Sequence, residues 1–181
     1  IDEIIVVSDG STDRTAEVAK NAGANVIDLE VNMGKGGAMM RGLEEARGEI
    51  ILFLDADLLG LTTKHIQHLI KPVLDGKYEM AIGVFEHGRL STDLAQLVAP
   101  FLSGQRVLRR SLIERIGSLR LARFGVEMEL TKYVAEHNVK YTEVVLEELT
   151  HVMKEEKLGL VKGLQARMKM YWEIAKSFSQ E

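Results

Sequence analysis

The sequence contains no cysteine, which excludes disulfide bonds and thiolate metal sites and is typical of a protein from a reducing, cytoplasmic compartment. No apolar run approaches the roughly 20 residues that a membrane-spanning helix needs. The formal net charge of -4 gives no general affinity for nucleic acid. The sequence also lacks an initial methionine, and since it opens on Ile1 we expect it to be the interior of a longer chain. What remains is 181 residues with 46% hydrophobic content, which suits one globular domain.

The stretch from Gly48 to Leu58 carries the strongest pattern. Residues 50–54 form a continuous apolar run, which indicates a strand buried on both faces of a parallel sheet. The run ends at Asp55 and Asp57, and open α/β sheets bind ligands beyond the carboxyl ends of their strands. Two acids are costly to desolvate unless a cation shares the site, and Mg²⁺ prefers one or two carboxylates together with substrate phosphate oxygens. The alternative is a capped turn with Asp57 as a helix N-cap.

Strand and helix patterns alternate along the rest of the chain. Further strands are predicted over 3–8, 25–29, 78–85, 106–110 and 140–146. Helices are predicted over 12–21, from the glycines near 34 to 47, and over 62–75, 111–116, 126–137 and 155–178, with a helical part inside 86–104. This alternation favours a three-layer α/β domain with a mostly parallel central sheet.

A glycine-rich loop over 32–37 precedes the second helix, so its amides can face an anion at the helix N-terminus, with Lys35 adding a positive charge. Its spacing matches neither the P-loop nor the dinucleotide-binding pattern, and a merely flexible loop is the alternative. Asp9 follows the first strand as Asp55 and Asp57 follow the central one. If the strands are parallel, these groups converge on one edge of the sheet.

These segments resemble the family-2 glycosyltransferases of the GT-A fold. The resemblance rests on residues 7–13, Gly-Lys-Gly-Gly-Ala over 34–38, Arg41, Arg-Gly-Glu over 47–49 and Asp-Ala-Asp over 55–57. Two branches are most similar, the glucosyl-3-phosphoglycerate synthases and the polyprenyl-phosphate sugar synthases. The resemblance implies a Rossmann-like three-layer fold. Its first strand, which lies mid-sheet, has no counterpart here, so we expect an N-terminal truncation that leaves two strand edges open.

The resemblance also implies residue roles. It assigns the nucleotide-sugar to Asp9, Lys35, Gly36, Asp55 and Ala56, and Mg²⁺ or Mn²⁺ to Asp57, His151 and Asp55. Asp57 and Glu127 are the implied catalytic residues, because Phe-Gly-Val-Glu over 124–127 is similar to a segment of the phosphoglycerate branch. Arg89, Gly104 and Arg106 match acceptor-binding positions, and Arg109 and Arg110 are expected to add phosphate-binding guanidinium groups. For the arginines the alternative is a solvated basic surface.

The single domain over 1–181 divides by the same resemblance into a nucleotide-sugar half (1–85), an acceptor half (86–154) and an amphipathic C-terminal helix (155–181). The apolar stripe of that helix indicates packing on its own domain or on the second subunit of a homodimer. Its basic face with Trp172 leaves open a peripheral contact with the inner face of a membrane.

We therefore expect a metal-dependent hexosyltransferase that transfers glucose from UDP-glucose to a small phosphorylated acceptor such as 3-phosphoglycerate. The alternatives are a polyprenyl-phosphate sugar synthase at a membrane surface, a nucleotidyltransferase and a catalytically inactive binding domain.

Overall fold

The computed structural model of the chain describes residues 1–85, 103–116 and 126–151. The strands of these parts are β1 (Ile5–Asp9), β2 (Asn25–Leu29), β3 (Ile50–Phe53), β4 (Leu58–Leu59), β5 (Met80–Phe85), β6 (Arg106–Arg109), β7 (Tyr141–Leu146) and β8 (Thr150–His151). The helices are α1 (Thr15–Asn21), α2 (Gly34–Glu45), α3 (Thr63–Leu74), α4 (Arg110–Ile116) and α5 (Val126–Glu136). The predicted elements within these parts are confirmed, with ends that differ by up to three residues. The helical part of 86–104 and the C-terminal helix were predicted for segments outside the described residues, apart from 103–104.

The main sheet has the strand order β3-β6-β5-β7. β5 and β7 pair in parallel, whereas β6 is antiparallel to both β3 and β5, so three of the four strands run in one direction. β1 and β2 form a separate parallel pair, and β4 and β8 form a short antiparallel ribbon. The expected α/β fold is therefore present, and β6 is the strand that departs from a parallel arrangement in the main sheet.

Alternation along β5 and β6 separates two apolar layers. Met80, Ile82 and Leu108 pack with side chains of α4 and α5, whereas Ala81 and Val107 pack with Leu69 and Val73 of α3. Successive side chains of a strand point to opposite faces, so these strands are covered by helices on both sides. The result is the expected three-layer arrangement, with its core in the main sheet.

In the described part of the chain, the β1–β2 pair and the main sheet each have an open strand edge, at β1 and at β3. Among the described residues, β1 is hydrogen-bonded only to β2, and β3 only to β6. A cleft of about 960 Å³ is lined by residues of β1 and β2 and by the segment Glu45–Glu49 that leads into β3. The predicted pair of open strand edges is therefore observed in the described part of the chain.

The glycine-rich segment differs from the predicted loop. Gly34 has φ +77° and begins α2, so Lys35 and Gly36 lie in the first helical turn. The start of α2 is fixed by the end of β1, since the backbone N–H of Met33 donates to Asp9 Oδ1 (2.6 Å) and Asn32 Nδ2 donates to the Asp9 carbonyl (2.9 Å). Within the described ranges, no helix has the length and apolarity needed to span a bilayer.

Candidate active site

The carboxyl end of β3 carries the predicted acids, and α2 supplies the predicted lysine beside them. Lys35 Nζ lies 2.9 Å from Asp55 Oδ1, with the two side chains 37% and 34% exposed. An ion pair at this exposure contributes only about 0–1 kcal/mol to stability. The Lys35 ammonium can therefore exchange the Asp55 carboxylate for an anionic ligand at little cost in stability. The predicted convergence of Lys35 and Asp55 is observed.

Asp9 lies at the other side of the same helix terminus. Its carboxylate accepts from Met33, one residue before α2, so the end of β1 and the first turn of α2 form one unit. A small pocket of about 180 Å³ follows Asp9 and is lined by Gly10, Ser11, Thr12 and residues 28–30. The structure thus places Asp9, Lys35 and Asp55 around the start of α2, as the sequence predicted for the carboxyl ends of β1 and β3.

The second carboxylate oxygen of Asp55 is bound by Gln105, a contact that no sequence pattern predicted. Gln105 Nε2 donates to Asp55 Oδ2 (2.9 Å), and Gln105 is only 1% exposed. Gly104 lies against the same carboxylate, since a Cβ added to Gly104 would clash with Asp55 Oδ2. The antiparallel register explains both contacts. Phe53 pairs with Arg106, so the residues that precede β6 lie opposite those that follow β3.

Asp57 and His151 lie at the same end of a two-stranded ribbon. Leu58, which follows Asp57, pairs with His151 across β4 and β8. Ala56 lies in the turn between the two acids. The backbone therefore brings the predicted ligand His151 next to the Asp-Ala-Asp turn, although the two segments are more than 90 residues apart in sequence.

The donor set fits a hard divalent cation that is completed by a ligand's oxygens. Mg²⁺ and Mn²⁺ favour carboxylate oxygens, and Mg²⁺ is usually held by one or two carboxylates plus phosphate oxygens and water. Across the parts of the chain described, no three His, Cys, Asp or Glu residues cluster as a complete protein-only metal site. Asp57, with Asp55 and His151 nearby, suits an ion that shares its coordination sphere with a diphosphate.

The remaining predicted residues lie in different places. Glu127 is the second residue of α5, whereas Arg89 lies outside the described residues. Arg106 is 1% exposed, and its Nε donates to the Ser103 carbonyl (2.9 Å). The backbone of Arg106 pairs with Phe53, at the end of β3 that leads to Asp55. The assignment of Arg106 to an acceptor stays a prediction.

Arg109 and Arg110 do not belong to the site, and the expectation that they bind phosphate there is wrong. Arg109 pairs with Ile50 at the opposite end of β3, and its guanidinium donates to the Val73 carbonyl (2.8 Å). Arg110 donates to the carbonyls of Gly48 (2.8 Å) and Ala46 (2.6 Å). Arg109 thus supports the end of α3 and Arg110 supports the backbone ahead of β3. At the rise of a strand, the start of β3 at Ile50 is roughly 17 Å from Asp55.

A three-layer α/β domain with acids beyond its β3 strand belongs to the class of proteins that bind their ligands at the carboxyl edge of the sheet. The family model described as glycosyl transferase family 2 matches residues 1–131, and the chain belongs to this family.

Glucosyl-3-phosphoglycerate synthases are among the proteins similar to this chain. The enzyme of Mycolicibacterium paratuberculosis is 39% identical over 83 residues, which cover 42% of this chain and 25% of that protein. The enzyme of Mycobacterium tuberculosis has been crystallised with Mn²⁺, UDP-glucose and phosphoglyceric acid. The match to that structure covers 91% of this chain and 68% of the crystallised chain, with a TM-score of 0.69 and 26% sequence identity. Its complex with Mg²⁺ and UDP matches with a TM-score of 0.70 at 26% identity, over 92% and 68% of the two chains. The chain thus matches a quarter of the length of that curated relative.

Proposed function

We propose that this chain forms the nucleotide-sugar site of a metal-dependent glycosyltransferase that transfers glucose from UDP-glucose to a small phosphorylated acceptor of the 3-phosphoglycerate type. The observation that carries the proposal is the strand-end group of Lys35, Asp55 and Asp57, with His151 paired across the ribbon. The similar enzyme from Mycobacterium tuberculosis, crystallised with Mn²⁺, UDP-glucose and phosphoglyceric acid, supports the choice of donor and acceptor.

Each residue has a role in this proposal. Asp57 and His151, with help from Asp55, would hold Mg²⁺ or Mn²⁺, and the ion would supply positive charge against the negative charge of a departing diphosphate. Lys35 exchanges its partner Asp55 for the diphosphate and adds a second positive charge there. Asp9, Gly36 and Ala56 line the nucleotide-sugar position, and Glu127 orients the sugar or the acceptor. The same proposal assigns Arg89, Gly104 and Arg106 to the acceptor side of the site, where the buried Arg106 supports the backbone through its bond to the Ser103 carbonyl.

Calorimetric titration with UDP-glucose, with and without Mn²⁺, tests the donor site. The parent chain is expected to bind in a metal-dependent manner, and Asp57→Asn is expected to abolish that dependence because the variant loses an anionic ligand. Glu114→Gln, at an exposed position of α4, is the matched control for loss of one carboxylate and is expected to bind like the parent. Unchanged metal dependence in Asp57→Asn would contradict the assignment of the Asp-Ala-Asp turn.

A transfer assay tests the acceptor. Radiolabelled UDP-glucose is supplied with 3-phosphoglycerate in one reaction and with undecaprenyl phosphate in detergent in another. Label is expected in the phosphoglycerate product. Transfer only to the lipid would replace the proposed acceptor, and pyrophosphate release from a nucleoside triphosphate would replace sugar transfer by nucleotidyl transfer.

A further inference from the structure

The carboxylate of Asp55 is held on three sides, and the three contacting residues differ in their access to solvent. Lys35 approaches Oδ1 from a side chain that is 37% exposed, and its charge can turn toward a ligand. Gln105 approaches Oδ2 from a side chain that is 1% exposed and has no access to a ligand. Gly104 leaves the space that the carboxylate fills, with Asp55 Oδ2, Oδ1 and Cγ as the three atoms nearest to an added Cβ.

The orientation of the Gln105 amide follows from its neighbours. A carboxylate only accepts hydrogen bonds, so the NH₂ group of Gln105 has to face Asp55. Its carbonyl oxygen, Oε1, then faces the Ser103 hydroxyl at 3.0 Å, and this hydroxyl shares its one hydrogen between Oε1 and the nearer Gly83 carbonyl. The backbone N–H of Gln105 donates to the same hydroxyl oxygen (3.3 Å). Because Ser103 and Gln105 are both buried, this network holds the amide in one orientation.

We infer that Ser103, Gly104 and Gln105 form a cradle that positions the Asp55 carboxylate, with Gln105 as the positioning residue for the metal and nucleotide site. The inference rests on the proposed function, because the task of the cradle is to keep Asp55 in place when Lys35 leaves it for the diphosphate. It gives Gly104 a role on the donor side of the site. Outer partners of a ligand's carboxylate typically account for a 10- to 100-fold difference in metal affinity or activity.

Two variants of the full chain test this inference by different routes. Gln105→Leu keeps a similar volume but removes the donor to Oδ2. Gly104→Ala leaves Gln105 unchanged and displaces the carboxylate by steric contact, and Gly104 lacks a positive φ that would strain alanine. The controls are Gln67→Leu on the exposed side of α3 and Gly42→Ala, whose added methyl has Val7 Cγ2 as its nearest atom at 3.4 Å.

Each variant is titrated with UDP-glucose in the presence of Mn²⁺, and both the Kd and the stoichiometry are recorded. We expect Gln105→Leu and Gly104→Ala to raise the Kd about 10- to 100-fold at unchanged stoichiometry, with both controls matching the parent. A purely structural role would lower the stoichiometry and leave the Kd of the folded fraction unchanged, and that result would overturn the inference. A parent Kd in both variants would overturn it as well and leave the proposed function intact. Failure of the parent chain itself to bind UDP-glucose would overturn the proposed function and the inference with it.

Discussion

Lys35 is expected to contribute little to the stability of the fold and more to the binding of a ligand. Its ion pair with Asp55 is about one-third exposed, so Lys35→Met is expected to change the free energy of unfolding by at most about 1 kcal/mol. The same change removes a positive charge from the proposed diphosphate position, where a desolvated charge-assisted contact contributes about 1.5–3 kcal/mol, or roughly 10- to 100-fold in Kd. Urea unfolding and calorimetry with UDP-glucose and Mn²⁺ measure the two effects separately.

Lys71→Met is the matched control for this comparison, since Lys71 forms an exposed ion pair with Asp75 in α3. Its effect on stability should be similar and its effect on binding absent. Equal losses of binding in the two variants would contradict a role for Lys35 at the nucleotide.

Glu3 makes stability depend on pH. Its carboxylate accepts from the backbone N–H groups of Arg47 (2.6 Å) and Gly48 (3.0 Å), and these bonds, Arg47 first, hold the pKa of Glu3 below its ordinary value of 4.5. A lowered folded-state pKa means that the unfolded chain binds the proton more tightly. The contribution of Glu3 is therefore present above pH 4.5 and is lost as the pH falls through the lower folded-state pKa.

The variant Glu3→Gln is accordingly expected to be less stable than the parent at pH 7 and to approach it in acid. Urea unfolding at a series of pH values between 7 and 3 measures the difference, with Glu114→Gln as the control. A difference that stays constant across the series would show that the charge of Glu3 is irrelevant to the contact.

The sequence could predict the positions of site residues only near the ends of strands. Asp55 follows an apolar run, Lys35 lies within the glycine-rich segment over 32–37, and the structure brings the two together. Gln105 was missed as a partner of Asp55, because nothing in its local sequence shows that β6 runs antiparallel beside β3. Arg110 was misplaced for the same reason: the register puts it at the opposite end of β3, where it bonds backbone carbonyls.

At the scale of elements, the local pattern predicted the helices and the longer strands of the described ranges, but it predicted neither the two-residue strands β4 and β8 nor the pairing of the strands. β2 over Asn25–Leu29 has the predicted ends, and α3 begins at Thr63 after a Thr62 cap that accepts from the His65 N–H. The order β3-β6-β5-β7 depends on contacts between residues distant in sequence, which no local periodicity encodes. Residues 34–37 were expected in a loop because glycines usually break helices, whereas the structure has them in the first turn of α2, whose start is held by Asp9.

The ribbon of β4 and β8 depends on one glycine. Gly60 has φ +84°, and an added Cβ would lie 2.9 Å from the Glu148 carbonyl oxygen of the facing segment. Gly60→Ala is therefore expected to shift the ribbon that pairs Leu58 with His151, and to weaken Mn²⁺-dependent binding of UDP as well as stability. Calorimetry and urea unfolding measure the two losses.

Gly23→Ala separates backbone strain from the clash. Gly23 has φ +88° but nothing within 4 Å of an added Cβ, so this variant carries only the strain of a left-handed residue, about 1–2 kcal/mol. It should lose stability without losing binding. If Gly60→Ala also keeps the parent's Mn²⁺ dependence, the ribbon is not part of the metal site.

Across the whole described molecule, burial is uneven. The most deeply buried side chains belong to the main sheet and its helices, among them Val73, Ala81, Ile82, Val107 and Leu108, each 0% exposed. In contrast, α1 has no buried residue, and Ser8 is the sole buried residue of the β1–β2 pair, with no partner for its hydroxyl in the described structure. A buried apolar side chain contributes about 1.5–3 kcal/mol to the free energy of unfolding. The β1–α1–β2 unit is therefore less stabilised by burial than the main sheet.

This asymmetry predicts how the chain responds to its ligand. Backbone amides of β1 and β2 are expected to exchange with deuterium much faster than those of β5 and β6, because segments with few buried contacts open at lower free energy. UDP with Mn²⁺ should slow exchange in β1 and in the first turn of α2, where Asp9 joins the two, and should leave β5 and β6 unchanged. Hydrogen exchange followed by mass spectrometry, with and without ligand, measures both. Equal exchange in the two sheets would refute the uneven stability, and ligand protection confined to the main sheet would move the nucleotide away from Asp9 and Lys35.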